Sequence, residues 1–410
     1  MKRRFKWLAI AVVLALAVAL IASVARDPLF WKRYALSLVY SPTNLPGSFY
    51  EPSDLVEGTD DYQPPRVQPE DEHLAAAALR SAAEYARARH TRALIVGRHG
   101  HIVFEQYWGG ARFESVIDAS AFNATITALM VGLALDDKKI GLVIEPAANY
   151  IEEFRADDRN AITIKDLLGG TSGLAASEGG RGPWSAAARE HFSSDILREC
   201  LGRQVVHRHG EHPTPQACDV QLLARAVERA TGQPYASYIS ARLWKPIGAS
   251  DAFLARDSEA GTPRADCCLR ARQGDWMRIA ELLLNDGKFA GEQVIAPGWV
   301  TQMLATPNGA PGFGFQVWRG SSSVADAAPA QPAEPYAADD TYLLKAAGKT
   351  RLWFIPSLGL SILRVGTNRD DDADWDDARI PNLIVRGASD FVPRTAKPGS
   401  TDLSTLVPNH

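Results

Sequence analysis

The sequence lacks a surplus of charge of either sign, and this excludes one large class of function. Its 410 residues contain 44 Lys and Arg against 48 Asp and Glu, which gives a formal net charge of −4. Binding to nucleic acids depends on a clear positive surplus or a basic stripe, so no nucleic-acid partner is predicted. Apolar residues make up 46% of the chain, which excludes disorder as its main state and predicts a large buried core.

Patterns typical of metal sites are also weak. His207, His209 and His212 lie in a loop bounded by Gly and Pro, and no clear fourth ligand accompanies them. Two acidic clusters, 370–372 and 376–377, favour a solvated surface over weak Ca²⁺ binding. We therefore predict neither a metal ion nor another cofactor.

Long apolar runs are absent except at the N-terminus. Residues 1–6 are basic, and residues 7–25 form an uncharged run that would span about 28 Å as a helix, close to the thickness of a bilayer core. The basic flank is expected to stay in the cytoplasm, which predicts a single-pass inner-membrane protein whose main part is periplasmic. The alternative is a secreted protein, because Ser23-Val24-Ala25 is also a small-x-small site for cleavage of a signal peptide.

Cysteine is scarce, with Cys200, Cys218, Cys267 and Cys268 as the only four. In an oxidising compartment one disulfide is plausible, and we predict that Cys218 pairs with Cys267 or with Cys268. Adjacent cysteines rarely pair with each other, so a bond between Cys267 and Cys268 is not expected. Buried free thiols remain the alternative.

The composition divides the chain into four parts. We assign residues 1–25 to the anchor, 26–72 to a juxtamembrane linker with little regular structure, 73–390 to the main domain and 391–410 to a tail. Within the main domain, about 135–300 is predicted to be a helical subdomain.

Apolar patterns inside the main domain predict an α+β fold. A buried helix is expected from Thr125 onwards, and a second helix is expected to end at Gly232. Short apolar runs that predict strands are 93–97, 102–105, 313–318, 352–355 and 360–363. Strands at both ends with helices between them predict one antiparallel sheet, flanked by helices and interrupted by a helical domain.

Seven segments in a fixed order resemble a known family. They are residues 118–132, 162–168, 171–174, 228–232, 243–248, 297–300 and 353–358. Across about residues 90–388 the chain resembles the serine β-lactamase and penicillin-binding-protein superfamily. It is most similar to the class C-like serine hydrolases, which include 6-aminohexanoate-dimer hydrolases and esterases. The resemblance implies a β-lactamase-like fold.

The resemblance also implies where reactive residues belong. Relatives carry Ser-x-x-Lys at the start of a central helix, a Tyr from the helical domain and a His-x-Gly strand. The corresponding positions here hold Ala121, Ala124, Pro215 and Ala347. Neither Ala nor Pro attacks a carbonyl or moves a proton. We therefore predict a membrane-anchored pseudoenzyme that binds a small ester or amide, a peptidoglycan-like fragment or a partner protein.

Two other functions stay open at this point. An active esterase or amidase would use Ser120 as a displaced nucleophile, but Asn123 would then occupy the place of the amine and is no base at neutral pH. Capping the helix is the simpler role for Ser120. A purely structural envelope protein is the other possibility. Lys345 and Lys349 near the third motif either bind a carboxylate or form a solvated strand face.

Overall fold

The computed structural model describes residues 2–177, 179–180, 182–305, 312–320, 334–367 and 375–392. Its helices are α1 Lys2–Arg26, α2 Pro28–Val39, α3 Ala76–Arg87, α4 Phe122–Asp136, α5 Ile164–Leu168, α6 Ala186–Phe192, α7 Ile196–Leu201, α8 Ala217–Thr231, α9 Tyr235–Ile239, α10 Gln273–Leu284, α11 Trp299–Leu304 and α12 Arg379–Val385. Its strands are β1 Ser53–Val56, β2 Thr91–Arg98, β3 His101–Tyr107, β4 Val116–Asp118, β5 Ala252–Ala255, β6 Leu269–Arg272, β7 Lys288–Phe289, β8 Glu292–Gln293, β9 Trp318–Arg319, β10 Tyr342–Ala346, β11 Thr350–Ile355 and β12 Leu360–Gly366. The acidic cluster 370–372 and the tail from residue 393 onwards lie outside the described residues.

Two antiparallel sheets form the framework of the main domain. The larger sheet has the strand order β3-β2-β12-β11-β10-β9, and the smaller sheet has the order β1-β5-β6-β4. All neighbouring strands in both sheets are antiparallel. Most of the helices lie between β3 and β9 in the sequence. The α+β arrangement predicted from the sequence is therefore confirmed, with two antiparallel sheets in place of the one expected.

The central strands are buried on both faces, which explains their continuous apolar sequence. Every residue of β11 and β12 is buried. Successive side chains point to opposite sides, so Leu363 packs into the cluster that contains Ile279 of α10, whereas Ile362 packs into the cluster that contains Leu79 of α3. Helices cover both faces of this sheet, as continuous apolar strands require.

The predicted strand 313–318 is wrong for most of its length. Only β9 pairs with the sheet, at the very end of this run. Gln316 adopts a φ of +57°, and a Cβ on Gly314 would lie 2.1 Å from the carbonyl oxygen of Met303. The chain therefore turns where its apolar pattern predicts an extended strand.

The segment 26–72 also differs from the prediction. The carboxylate of Asp27 accepts a hydrogen bond from the backbone N–H of Phe30 at 2.9 Å, and α2 starts between them at Pro28. Further on, β1 pairs with β5 in the smaller sheet. The expectation of little regular structure is therefore wrong, because Pro and Asp here begin and cap elements rather than interrupt them. The domain boundaries themselves stay predictions.

The expected apolar helix is present at the N-terminus. Within α1, Phe5–Arg26 covers 22 residues with a mean hydropathy of 2.9, and the apolar stretch is not buried in the protein. Among the described helices it is the one that is long and apolar enough to cross a membrane. Its orientation and its cleavage stay predictions.

The cysteines form two disulfides, and both differ from the prediction. Cys200 of α7 is bonded to Cys218 of α8, with Cα atoms 5.1 Å apart, and Cys267 is bonded to its neighbour Cys268. Cys218 therefore pairs with neither of the expected partners. The physical reason is the packing of α7 on α8, which brings two buried sulfur atoms together at a separation typical of disulfides.

The central helix α4 positions the candidate site. All of its residues from Phe122 to Ala134 are buried. A Cβ on Gly132 would lie 2.2 Å from Nε1 of Trp299, whose indole N–H donates to the carbonyl of Ala128 at 3.2 Å. Glycine at this position thus allows α11 to lie directly against α4, which fixes the rotation of α4 about its axis.

Candidate functional site

A cavity of about 220 Å³ lies beside the first turn of α4, and we call it the α4 cavity. The start of α4, the start of α8, the turn before β9 and one edge of β10 all contribute to its wall. The lining residues are Ala121, Ala124, Thr125, Pro215, Gln216, Ala217, Val220, Asp266, Phe313, Gln316, Trp318, Leu344 and Lys345.

Three of the four positions singled out by the family resemblance meet in this wall. Ala121 and Ala124 are three residues apart at the start of α4, so helical geometry places their methyl groups on one side. Pro215 faces the same cavity from the segment before α8. Methyl groups and a pyrrolidine ring neither donate nor accept protons, so this part of the wall is chemically inert.

Ser120 lies next to the α4 cavity in sequence but does not line it. Its φ is +41°, and its backbone N–H donates to Oδ1 of Asp118 at 2.8 Å. The N-cap of α4 is Ala121, which has no capping side chain. Because the chain turns at Ser120, α4 begins one residue later than a cap at Ser120 would require. The predicted capping role of Ser120 is therefore wrong.

The side chain of Asn123 binds the segment before β6 and does not line the α4 cavity. It is fully buried, and its Nδ2 donates to the carbonyls of Arg264 at 3.2 Å and Cys267 at 2.9 Å. These bonds hold the segment before β6 against α4. Asn123 is therefore not available as a partner for a displaced nucleophile.

A buried polar network holds the start of α8. The hydroxyl of Ser172 donates to Oδ1 of Asp219 at 2.7 Å, and burial raises the pKa of Asp219 well above its usual range. Nε2 of Gln216 donates to the carbonyl of Leu174 at 3.2 Å. The network thus holds Gln216 after Pro215, and the N–H of Thr214 before it donates to the carbonyl of Gly170 at 2.6 Å, so the position of the Pro215 ring is fixed.

Gln316, which lines the α4 cavity, is hydrogen-bonded to both α4 and α5. Its Nε2 donates to the carbonyl of Leu168 in α5 at 3.0 Å, and its own carbonyl accepts a hydrogen bond from the hydroxyl of Thr125 at 2.7 Å. Among the described lining residues, Thr125 is the one that carries a hydroxyl, and that hydroxyl is occupied by this bond. The role of Gln316 could not be predicted from the sequence, because this residue lies in an apolar run that predicts a strand.

Lys345 supplies the positive charge of the α4 cavity. Its Nζ lies 4.4 Å from the centroid of the Trp318 ring. Burial lowers the pKa of Lys345 to about 8, and the carboxylate of Asp377 acts in the opposite direction. The acidic lining residue, Asp266, is paired with Arg264 at 3.4 Å. The wall thus combines an ammonium group, an aromatic face and inert methyl groups.

Ala347 and Lys349 lie away from the α4 cavity. Both belong to a three-residue turn between β10 and β11, and Ala347 lines a second cavity of about 320 Å³ together with Tyr50 and Asp118. The Tyr50 hydroxyl donates to Oδ2 of Asp118 at 2.7 Å, and burial raises the pKa of Asp118. Of the two candidate lysines, only Lys345 lines the α4 cavity.

The three histidines of the 207–212 loop have ordinary partners. Nδ1 of His209 lies 3.0 Å from Oδ2 of Asp166, and the rings of His207 and His212 are 4.9 Å apart. Within the described part of the chain, no group of three or more His, Cys, Asp or Glu side chains is placed to hold a metal ion.

Comparison with known sequences gives one family and one curated relative of interest. The model of the family described as Beta-lactamase matches residues 71–296. The 6-aminohexanoate-dimer hydrolase of Paenarthrobacter ureafaciens is 24% identical over 226 residues, which cover 52% of this chain and 57% of that protein. The aligned region therefore spans little more than half the length of the curated relative.

Solved structures share the fold over most of the chain. A Bacillus anthracis protein with the provisional name 6-aminohexanoate-dimer hydrolase superposes with a TM-score of 0.64 at 17% identity, covering 82% of this chain and 89% of that one. The β-lactamase/D-alanine carboxypeptidase of Pseudomonas syringae superposes with a TM-score of 0.56 at 12% identity, covering 76% and 98%. The β-lactamase-like fold expected from the sequence is confirmed.

Proposed function

Because this chain belongs to the Beta-lactamase family, we propose that it keeps a cleft for a small acyl compound and has lost the chemistry that would cleave one. It acts as an exported pseudoenzyme, held in the inner membrane by α1 with its main domain in the periplasm. The observation that carries this proposal is the inert wall formed by Ala121, Ala124 and Pro215. A hydroxyl nucleophile without a neighbouring base is a poor catalyst, and these three residues supply neither the hydroxyl nor the base.

The lining of the α4 cavity supports a ligand with a carboxylate. The ammonium of Lys345 can pair with that carboxylate, and the face of Trp318 can cover an adjacent apolar group. A small ester or amide, or a peptidoglycan-like fragment with a terminal carboxylate, matches these groups.

We expect no covalent labelling of the chain by a fluorophosphonate or by a labelled penicillin. The reason is that both reagents need an activated serine, and Ser120 lies outside the α4 cavity. Intact-mass spectrometry after incubation measures the adduct, and an active serine esterase in the same buffer is the control. An adduct that disappears in Ser120→Ala would show an active hydrolase with a displaced nucleophile and overturn the proposal.

Binding of a carboxylate ligand is expected to weaken as the pH rises from 7 to 9. Lys345 must be protonated to bind the anion, and burial lowers its pKa to about 8, with Arg351 and Lys349 acting in the same direction. Its charged fraction therefore falls about tenfold across this interval, and the dissociation constant rises by a similar factor. Isothermal titration calorimetry with an acylated D-alanyl-D-alanine peptide measures the dissociation constant at each pH.

Two substitutions test the assignment of this pH dependence to Lys345. Lys345→Met is expected to weaken binding at pH 7 by about tenfold and to flatten the pH profile. Lys139→Met, an exposed position just beyond the far end of α4, is the matched control and should bind like the unmodified chain. Failure of the unmodified chain to bind any such peptide would favour a purely structural envelope protein.

A further inference from the structure

The junction between α1 and α2 is short and hydrogen-bonded throughout. Asp27 is the single residue between the two helices. Its N–H donates to the carbonyl of Ser23 at 3.2 Å, and its carbonyl accepts from the N–H of Trp31 at 3.3 Å. The indole Nε1 of Trp31 also donates to the hydroxyl of Ser23 at 3.1 Å. The backbone ladder and this side-chain bond thus connect the two helices without a flexible segment.

A buried arginine fastens α2 to the main domain. Arg33 is 2% exposed. Its guanidinium donates to five backbone carbonyls, those of Phe49, Glu51, Ser193, Arg256 and Asp257. These acceptors come from three separate regions of the chain, so one side chain holds α2 to all of them. The direction of α1 relative to the main domain is therefore fixed.

Aromatic packing strengthens the same attachment. The ring of Phe30 meets the ring of Phe192 of α6 edge to face at 6.1 Å, and Tyr34 meets it at 5.6 Å. Trp31 lies 6.0 Å from Trp184, which is 67% exposed just before α6. In consequence α6 and its flanking residues lie beside the C-terminal end of α1.

A cavity of about 520 Å³ lies at this place, and we call it the junction cavity. Ser23, Arg26, Asp27, Phe30 and Trp31 line it from α1 and α2, and the other lining residues are Pro183, Trp184, Arg189, Ser193, Ser194, Asp195, Arg198 and Glu199. If α1 crosses the bilayer and ends at Arg26, the junction cavity opens at the depth of the lipid headgroups.

The charges of the junction cavity match a zwitterionic headgroup. Arg26 and Arg198 form no ion pair with any described residue, so both guanidinium groups can bind a phosphate. Glu199 in the same wall is paired with Arg189 at 3.5 Å, and Oδ1 of Asp195 accepts from the N–H of Arg198 at 3.1 Å. The other oxygen of Asp195, Oδ2, can accept a hydrogen bond from an ammonium group. Trp184 adds the amphipathic ring that is enriched at membrane interfaces.

We propose that the junction cavity binds the headgroup of phosphatidylethanolamine, so that the main domain lies with α6 and α7 against the bilayer. This proposal rests on the membrane anchor put forward under Proposed function. It adds a fixed orientation to that anchor: the side of the domain beside α6 faces the lipid, and the domain does not tumble on a flexible tether.

The test uses the full chain in nanodiscs that contain phosphatidylethanolamine and a lipid with a nitroxide near the headgroup. A fluorophore is attached to G182C, which is exposed beside the junction cavity without lining it and has room for a side chain. The matched control is L142C, which is exposed between α4 and α5. We expect several-fold stronger quenching at position 182 than at position 142. Carbonate extraction is the second measurement, because a chain anchored by α1 resists it. If the chain resists extraction but both positions are quenched equally, the docking is overturned and the anchor stands.

Two further measurements separate the possible failures. Arg198→Glu is expected to reduce quenching at position 182 to the level at position 142, whereas Arg229→Glu, at an exposed position on α8, is expected to leave it unchanged. No effect of Arg198→Glu would overturn the headgroup site. Release of the unmodified chain by carbonate would overturn the anchor itself, and with it the docking.

Discussion

A chain that carries Ala121→Ser and Ala124→Lys together will form a covalent adduct with a fluorophosphonate at a rate at least about 10³-fold above that of the unmodified chain. Both positions line the α4 cavity and lie three residues apart, so the new amine faces the new hydroxyl. Ala124 is 8% exposed, and burial lowers the pKa of a lysine placed there, so a larger fraction of the amine is uncharged at neutral pH and able to accept the proton of the hydroxyl. Intact-mass spectrometry over time measures the rate.

The single variants are the controls for this gain of reactivity. Ala121→Ser lacks the base and Ala124→Lys lacks the nucleophile, so each is expected to stay close to the unmodified chain. Adding Pro215→Tyr will raise the rate further, because a phenol in that wall completes the path for the proton. A double variant no faster than Ala121→Ser alone would show that the cavity has lost its catalytic geometry as well as its reactive residues.

Replacement of Arg33 by methionine will lower the free energy of unfolding by about 3 kcal/mol or more. Methionine fills much of the same space but donates no hydrogen bond, so the backbone carbonyls that Arg33 now serves lose their partner. Two of these bonds are short, at 2.8 Å to Asp257 and 2.6 Å to Arg256. Denaturant unfolding of the full chain in detergent, followed by circular dichroism, measures the change.

A neighbouring residue provides the matched control for Arg33. Lys32 is exposed on the same helix, and Lys32→Met removes the same charge without uncovering buried carbonyls. We expect its free energy of unfolding to stay within about 0.5 kcal/mol of the unmodified chain. Equal destabilisation by both substitutions would mean that loss of charge, rather than loss of the five hydrogen bonds, causes the effect.

The placement of Ala121 and Ala124 could be predicted from the sequence because it depends on local geometry. The family resemblance locates both positions by counting back from Gly132, and the fixed rotation per residue of an α-helix places side chains three residues apart on one side. The same argument holds for β11 and β12, where a short turn at Pro356–Leu358 sets the pairing.

Other parts of the site depend on contacts between distant segments and could not be predicted. Counting back from Pro356 leads to Ala347, but the turn Ala347–Lys349 places that residue beyond the end of β10, and Lys345 lines the α4 cavity instead. The left-handed conformation of Gln316 has no signature in an apolar run. The disulfide between α7 and α8 reflects how two helices pack, which the spacing of cysteines does not encode.

The double attachment of Gln316 has a consequence for the kinetics of any bound molecule. Its side chain is bonded to α5 and its carbonyl to α4, so the turn before β9 cannot move away from these two helices without breaking both bonds. We therefore expect exchange to need no hinge movement at this turn, and molecular size rather than a slow gating step to decide which compounds enter.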